Sequence, residues 1–235
     1  MSARSCLILL CTTLAIGCSR DSRDILTLEE LPDTKSISRY SRNAPITRYL
    51  IQIDDWHLVP QDALNVDDAV YAKHLDTVSA VQFEQVAVLR HILMKFDVHR
   101  VYLERFADDD IETLAAMLIA AKHREADRET ILNLGPAGKL WVDGELGNVL
   151  PAESRAGLDA GKKDPNSDIR HRAIVDKLGN ATVTVIVLGA GHDLRPQIPE
   201  GVEYIRVRTN LVAALMGEDE GLEISVDDTV SDIGP

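Results

Sequence analysis

Thr182 to Asp193 runs T-V-T-V-I-V-L-G-A-G-H-D. Its apolar residues leave no polar face, so Thr182–Leu188 is predicted to be a strand buried on both sides, central in a sheet that helices cover above and below. The strand stops at Gly189-Ala190-Gly191 and then presents an imidazole, His192. Glycines there let the chain turn sharply and leave backbone N–H groups able to face an anion.

Working outward from this strand, segments of strand and helix character alternate. Tyr49–Ile53 is predicted to be a strand followed by a polar turn at Asp54-Asp55. Val81, Val86, Val88, Leu89, Ile92 and Leu93 recur at helical spacing to about residue 96. Val98–Leu103 is a second strand, ending at Glu104, and Ile111–Lys122 a second helix with Asp108–Asp110 at its start, where the helix dipole favours acids. Thr130–Leu134 has strand character, Gly135–Leu150 is glycine-rich, and 151–166 is expected to be a surface loop. A helix capped by Asp168 runs to about Leu178, stopped by Gly179-Asn180. Val202–Val207 and Thr209–Met216 complete the pattern as strand and helix. The alternation predicts a single α/β domain over residues 47–216, with a largely parallel central sheet flanked by helices.

Composition narrows the function. Net charge is −13 and aromatic residues make up 4% of the chain. An acidic surface without a run of Lys or Arg repels phosphate backbones, so nucleic acid is not an expected partner. The last twenty residues hold seven acids and no base, and 217–235 is expected to be a disordered acidic tail. All three cysteines, Cys6, Cys11 and Cys18, lie in the first eighteen residues. No thiol nucleophile is therefore available in the domain.

The N-terminus has one basic residue, Arg4, and then an apolar run from Cys6 to Ile16 that is too short to span a bilayer. It is predicted to be a signal peptide, residues 1–17. Its end, Ala15-Ile16-Gly17-Cys18, resembles a bacterial lipobox, which implies cleavage before Cys18 and lipid attachment to its thiol. The membrane would then be a partner through that anchor. Ser19 after the cysteine favours the outer membrane, facing the periplasm, and residues 18–46 would be a flexible tether.

In open α/β sheets ligands sit beyond the carboxyl ends of the strands. His57, Glu104 and His192 each follow a strand, and two imidazoles with a carboxylate suit either a divalent metal or a base with its orienting partners. His91 and His99 lie within a helix and a strand and carry no such expectation. Trp56 is expected to be a packing plug. Asp193 would orient His192 or cap the next element.

These residues resemble the Gly-x-x-His motifs of the TraB, Tiki, ChaN and erythromycin-esterase superfamily. Gly189-Ala190-Gly191-His192 is similar to its second motif, with the Arg170-bearing helix D-I-R-H-R-A-I-V-D-K-L before it. Asp54-Asp55-Trp56-His57 matches the first, with Asp54 where the family has glycine, and Glu104 in V-Y-L-E-R-F matches the strand-closing glutamate. The resemblance implies one pocket lined by His57, Glu104 and His192, which would hold a metal ion. Arg170 would stabilise charge or orient the glutamate, and Gly189 and Gly191 would shape the cofactor-binding turn. It also implies either metal-dependent hydrolysis of an amide or ester in a small molecule or peptide, or haem or metal binding without turnover. A structural envelope role is the third possibility.

Overall fold

The computed structural model describes residues 25–42, 45–177, 179 and 181–218. The signal segment, Cys18 and the tail from 219 lie outside these. In chain order the elements are β1 (Thr34–Ser41), β2 (Arg48–Asp55), α1 (Gln61–Leu64), α2 (Asp68–Phe96), β3 (Arg100–Ala107), α3 (Ile111–Lys122), α4 (Arg128–Asn133), α5 (Gly135–Val142), β4 (Asn148–Glu153), α6 (Arg155–Gly161), α7 (Asp168–Asp176), β5 (Val183–Gly189), β6 (Val202–Thr209) and α8 (Asn210–Leu215).

The protein is an α/β domain. Its six strands lie in the order β1-β6-β2-β5-β3-β4, and every pairing is parallel except that of β1 with β6. β5 is interior, as its apolar sequence requires. Val185 and Val187 join Ile51, Ile53, Val101 and Ile205 on one face, under Leu89 and Ile92 of α2, Leu114 of α3 and Leu140 of α5. Ile186 and Leu188 face the other way with Leu50 and Tyr204, under Ile174 of α7 and Leu194 and Ile198. The period-two alternation thus feeds two cores. α2 begins where the Asp67 carboxylate accepts from the Ala69 and Val70 N–H groups at 2.9 Å, and it ends at Asp97 in the left-handed region.

Several boundaries differ from the expectation. Residues 34–41 are a strand on the edge of the sheet instead of a tether, with Leu26 and Leu31 buried in the larger core. The polar sequence of β1 hid it, because an edge strand needs few apolar residues. Asp54-Asp55 is no turn: both residues extend β2, since Asp54 meets Arg206 and Arg208 of β6 and Asp55 pairs with Gly189. β3 continues past Glu104 to Ala107 through a break in its register with β4. Thr130–Leu134 is mostly helix, α4, capped by the Asp127 carboxylate on Thr130 N–H at 2.7 Å. The Gly135–Leu150 passage contains α5 and the start of β4, and the expected loop at 151–166 contains the end of β4 and α6. Among the described residues no helix is long and apolar enough to cross a membrane.

Candidate functional site

The strand order sets the site. β2, β5, β3 and β4 are successive neighbours, so Asp55, Gly189, Glu104 and Glu153 fall in a row near the carboxyl edge of the sheet. Glu104, only 4% exposed, is at the centre. Its Oε2 accepts the Gly189 N–H at 2.6 Å and lies 2.6 Å from His57 Nε2. Its Oε1 accepts from Arg170 Nη2 at 2.6 Å and meets His192 Nε2 at 3.0 Å. The expected residues His57, Glu104, Arg170, Gly189 and His192 therefore come together. Gly191 does not touch this centre and is exposed in the turn.

The Gly189 N–H does face an anion, and the anion is the protein's own glutamate. A Cβ at Gly189 would stand 2.5 Å from His57 Nε2, so any other residue there forces the imidazole or the backbone to shift. Asp193, adjacent to His192, turns away and pairs with Arg195 at 2.7 Å, while the orienting contact on His192 comes from His171, whose Nε2 lies 3.1 Å from His192 Nδ1. A carboxylate only accepts, so a proton on His192 Nε2 serves Glu104, and Nδ1 then accepts from His171. Trp56 packs between Leu58, Val78 and Leu132 on one side and Val81, Ala190 and Val212 on the other, as a plug.

Behind these residues stand further groups, of which the sequence did not single out Glu153, Asp55 or Gln85. Glu153, fully buried at the end of β4, accepts from Arg170 Nε at 2.7 Å and Nη2 at 2.8 Å, so one guanidinium clamps two carboxylates. Asp55 holds His57 Nδ1 at 2.9 Å. Gln85 of α2 holds Asp55 in turn, its amide donating to the Asp55 carboxylate at 2.9 Å and the Asp54 carbonyl at 2.8 Å. Asp54, standing where the resembling family has glycine, binds Gln52 at 2.8 Å, Arg206 at 2.6 Å and Arg208 at 2.7 Å. Arg206 also bonds the Ala190 carbonyl, which ties the glycine turn to β6.

Charge follows from these contacts. Burial alone would lower the His57 pKa, but the Glu104 charge and the Asp55 hydrogen bond raise it to about 10. Burial would raise that of Glu104; the His57 charge and the His192 hydrogen bond instead hold it well below the usual carboxylate range. Burial, with His192 and Arg170 nearby, lowers the pKa of His171. At neutral pH His57 is thus an imidazolium beside a carboxylate.

A cleft opens at His57, lined by Asp55, Leu58, Leu103, Glu104, Arg105, Leu132, Asn133 and Gly135. Its void is about 10 Å³, room for one water. The His57 side chain is 26% exposed, yet its Nε2 is buried and makes no hydrogen bond, because Glu104 Oε2 lies close by but off its bonding direction. A larger hollow of about 460 Å³ between Pro60, Asp62 and Glu129 includes none of the residues of the Glu104 centre.

His57 and His192 meet different oxygens of Glu104, and Arg170 Nη1 stands 3.2 Å from His192 Nε2. Among the described residues no group of three or more His, Cys, Asp or Glu side chains is disposed to hold a metal ion. The donor types suit a divalent metal, but with Arg170 in place they do not fit as one three-donor site. Compared with protein-family models, curated proteins and solved structures, the chain matches none, so the likeness to the TraB, Tiki, ChaN and erythromycin-esterase group stands on its motif residues alone.

Proposed function

We propose that the chain is a hydrolase of an amide or ester bond, carried at the bacterial envelope on a lipid attached to Cys18. The observation that supports it most is the buried, unbonded Nε2 of His57 beside Glu104, at a cleft with room for one water. In this scheme Glu104 takes a proton from the water as its oxygen adds to the substrate carbonyl. The His57 imidazolium gives its proton to the departing nitrogen or oxygen as that bond breaks. Return of the proton from Glu104 to His57 through a water in the cleft then restores the starting state. Arg170 and His192 keep Glu104 ionised and aimed.

No step here passes through a metal. A second reading, a cation-binding lipoprotein without turnover, is favoured by one feature: two buried carboxylates, Glu104 and Glu153, share a single guanidinium, Arg170, while a third, Asp55, is held by His57. A divalent ion at His57 would supply the positive charge that the imidazolium proton supplies now. Haem would need far more room than the cleft has.

One preparation of the full chain, made without chelator, tests both. A panel of small esters and amides is expected to include a substrate whose turnover falls by about 100-fold or more in His57→Gln and in Glu104→Gln, and which chelator leaves unchanged. Stoichiometric metal that His57→Ala/His192→Ala loses, with no turnover, would replace the hydrolase by the carrier. Neither turnover nor metal would leave only an envelope structural role. For the anchor, Cys18→Ser is expected to move the chain from the membrane fraction to the soluble one.

A further inference from the structure

Arg105 occupies a backbone conformation that suits another residue. Its φ of +75° lies in the left-handed region, where a Cβ is crowded and glycine is at ease. The bulge in β3 imposes this conformation: pairing with β4 lapses between Leu103 and Ala107, and the Arg105 N–H turns to Glu153 Oε1 at 3.0 Å. The same twist turns Glu104 inward and sends the Arg105 side chain to the mouth of the cleft. There Nη1 donates to the Leu58 carbonyl at 2.7 Å and reaches Asn133 Oδ1 at 3.4 Å. Among the described residues Nε and Nη2 have no partner. One side of the guanidinium is fastened to two lining residues, and the Arg105 side chain is otherwise exposed, so its remaining N–H groups are open to a ligand that enters from solvent.

We propose that Arg105 is a specificity-determining residue that receives a carboxylate group of the substrate. The word substrate rests on the hydrolase reading; the carboxylate preference does not. Guanidinium N–H groups match two coplanar oxygens, and a neutral group would leave them partly unmet. Asp55 and Glu104 line the same cleft but are engaged by His57, Gln85 and Arg170, whereas the Arg105 guanidinium pairs with no carboxylate among the described residues. Backbone strain that glycine would relieve is retained where it places a charged side chain at the site, the pattern of a functional constraint.

The test is binding, read by NMR on the His57 ring and the Trp56 indole of the full chain, with N-acetylglycine, its neutral amide N-acetylglycinamide, and inorganic phosphate. Wild type is expected to bind N-acetylglycine at least about tenfold more tightly than the amide, as an added charge-assisted pair implies. In Arg105→Gly and Arg105→Asn, both at home in the left-handed region, the ratio is expected to fall to near one, and in Arg105→Lys to stay in between. Arg105→Gly is expected to melt no lower than wild type. A folded Arg105→Asn that keeps the preference would reduce Arg105 to a clasp between Leu58 and Asn133 and overturn the proposal. So would a wild type that binds neither glycine derivative, or one that binds phosphate more tightly than N-acetylglycine. A chain that shows the preference but hydrolyses nothing keeps this assignment and loses the proposed activity.

Discussion

At Gly189 a single methyl group decides whether His57 can approach Glu104. The glycine has an ordinary φ, so the constraint is contact alone: the added carbon would lie 2.5 Å from His57 Nε2 and 3.3 Å from Glu104 Oε2. Gly189→Ala is expected to push the imidazole out, costing about 1–3 kcal/mol as overpacking does. The denaturation midpoint and the His57 ring shifts would show both effects; an unmoved ring would mean that the backbone yields instead. Protonation of the same pair governs how stability varies with pH. Folded His57 titrates near 10 against 6.5 ordinarily, so its ion pairing with Asp55 and Glu104 contributes fully below 6.5 and is lost as pH climbs through 10. Glu104 has its pKa depressed from 4.5, so its share is present above 4.5 and lost as pH falls. Melting temperature is expected to be highest between these limits. The alkaline decline should flatten in His57→Gln; an unchanged decline would assign it to another group.

Among the elements, β4 and α7 show what a sequence can and cannot disclose. Arg170 on α7 was legible only through the resemblance, in which an arginine-bearing helix precedes the strand that ends in the second Gly-x-x-His motif. Its second carboxylate, Glu153, was not, because Pro151 marks a break in a run that would otherwise read as a strand. Proline is tolerated since β4 is the edge of the sheet and needs no N–H bond on its outer side. β5 and α3 could be placed to within a residue from their own residues, by apolar character on both faces and by acids before the first turn. Asp55, Gln85 and His171 could not be singled out, since each acts through a partner from another element. The clamp itself has a testable energy. Arg170→Met leaves Glu104 and Glu153 without their shared cation and is expected to cost about 3–5 kcal/mol, as breaking a buried ion pair does. Adding Glu153→Gln to that variant is expected to recover part of the loss, because one stranded charge is removed. Equal stability of the single and double variants would show that Glu153 does not depend on Arg170.

Across the whole molecule, one edge of the sheet protects the site from a distance. β6 carries Arg206 and Arg208, which hold Asp54, and Arg206 also fastens the Ala190 carbonyl in the turn that delivers His192. β1 covers the outer side of β6 from Thr34↔Thr209 to Ser41↔Glu203, and the segment leading into it buries Leu26 and Leu31. A chain begun at Thr47, where the apolar pattern first becomes evident, would lose both leucines from the core and leave β6 as a bare edge. Each fully buried leucine is worth about 1.5–3 kcal/mol, so that truncation is expected to cost at least about 3 kcal/mol. Self-association through the exposed strand should accompany the loss, because unpaired N–H and C=O groups recruit another chain. A chain begun at Ile25 retains the strand and both leucines and should melt with the full-length protein. Urea denaturation and sedimentation of the two truncations compare them directly. A Thr47 chain as stable and monomeric as the Ile25 chain would show that β1 is an accessory, and that the Asp54 cluster keeps the glycine turn in place unaided.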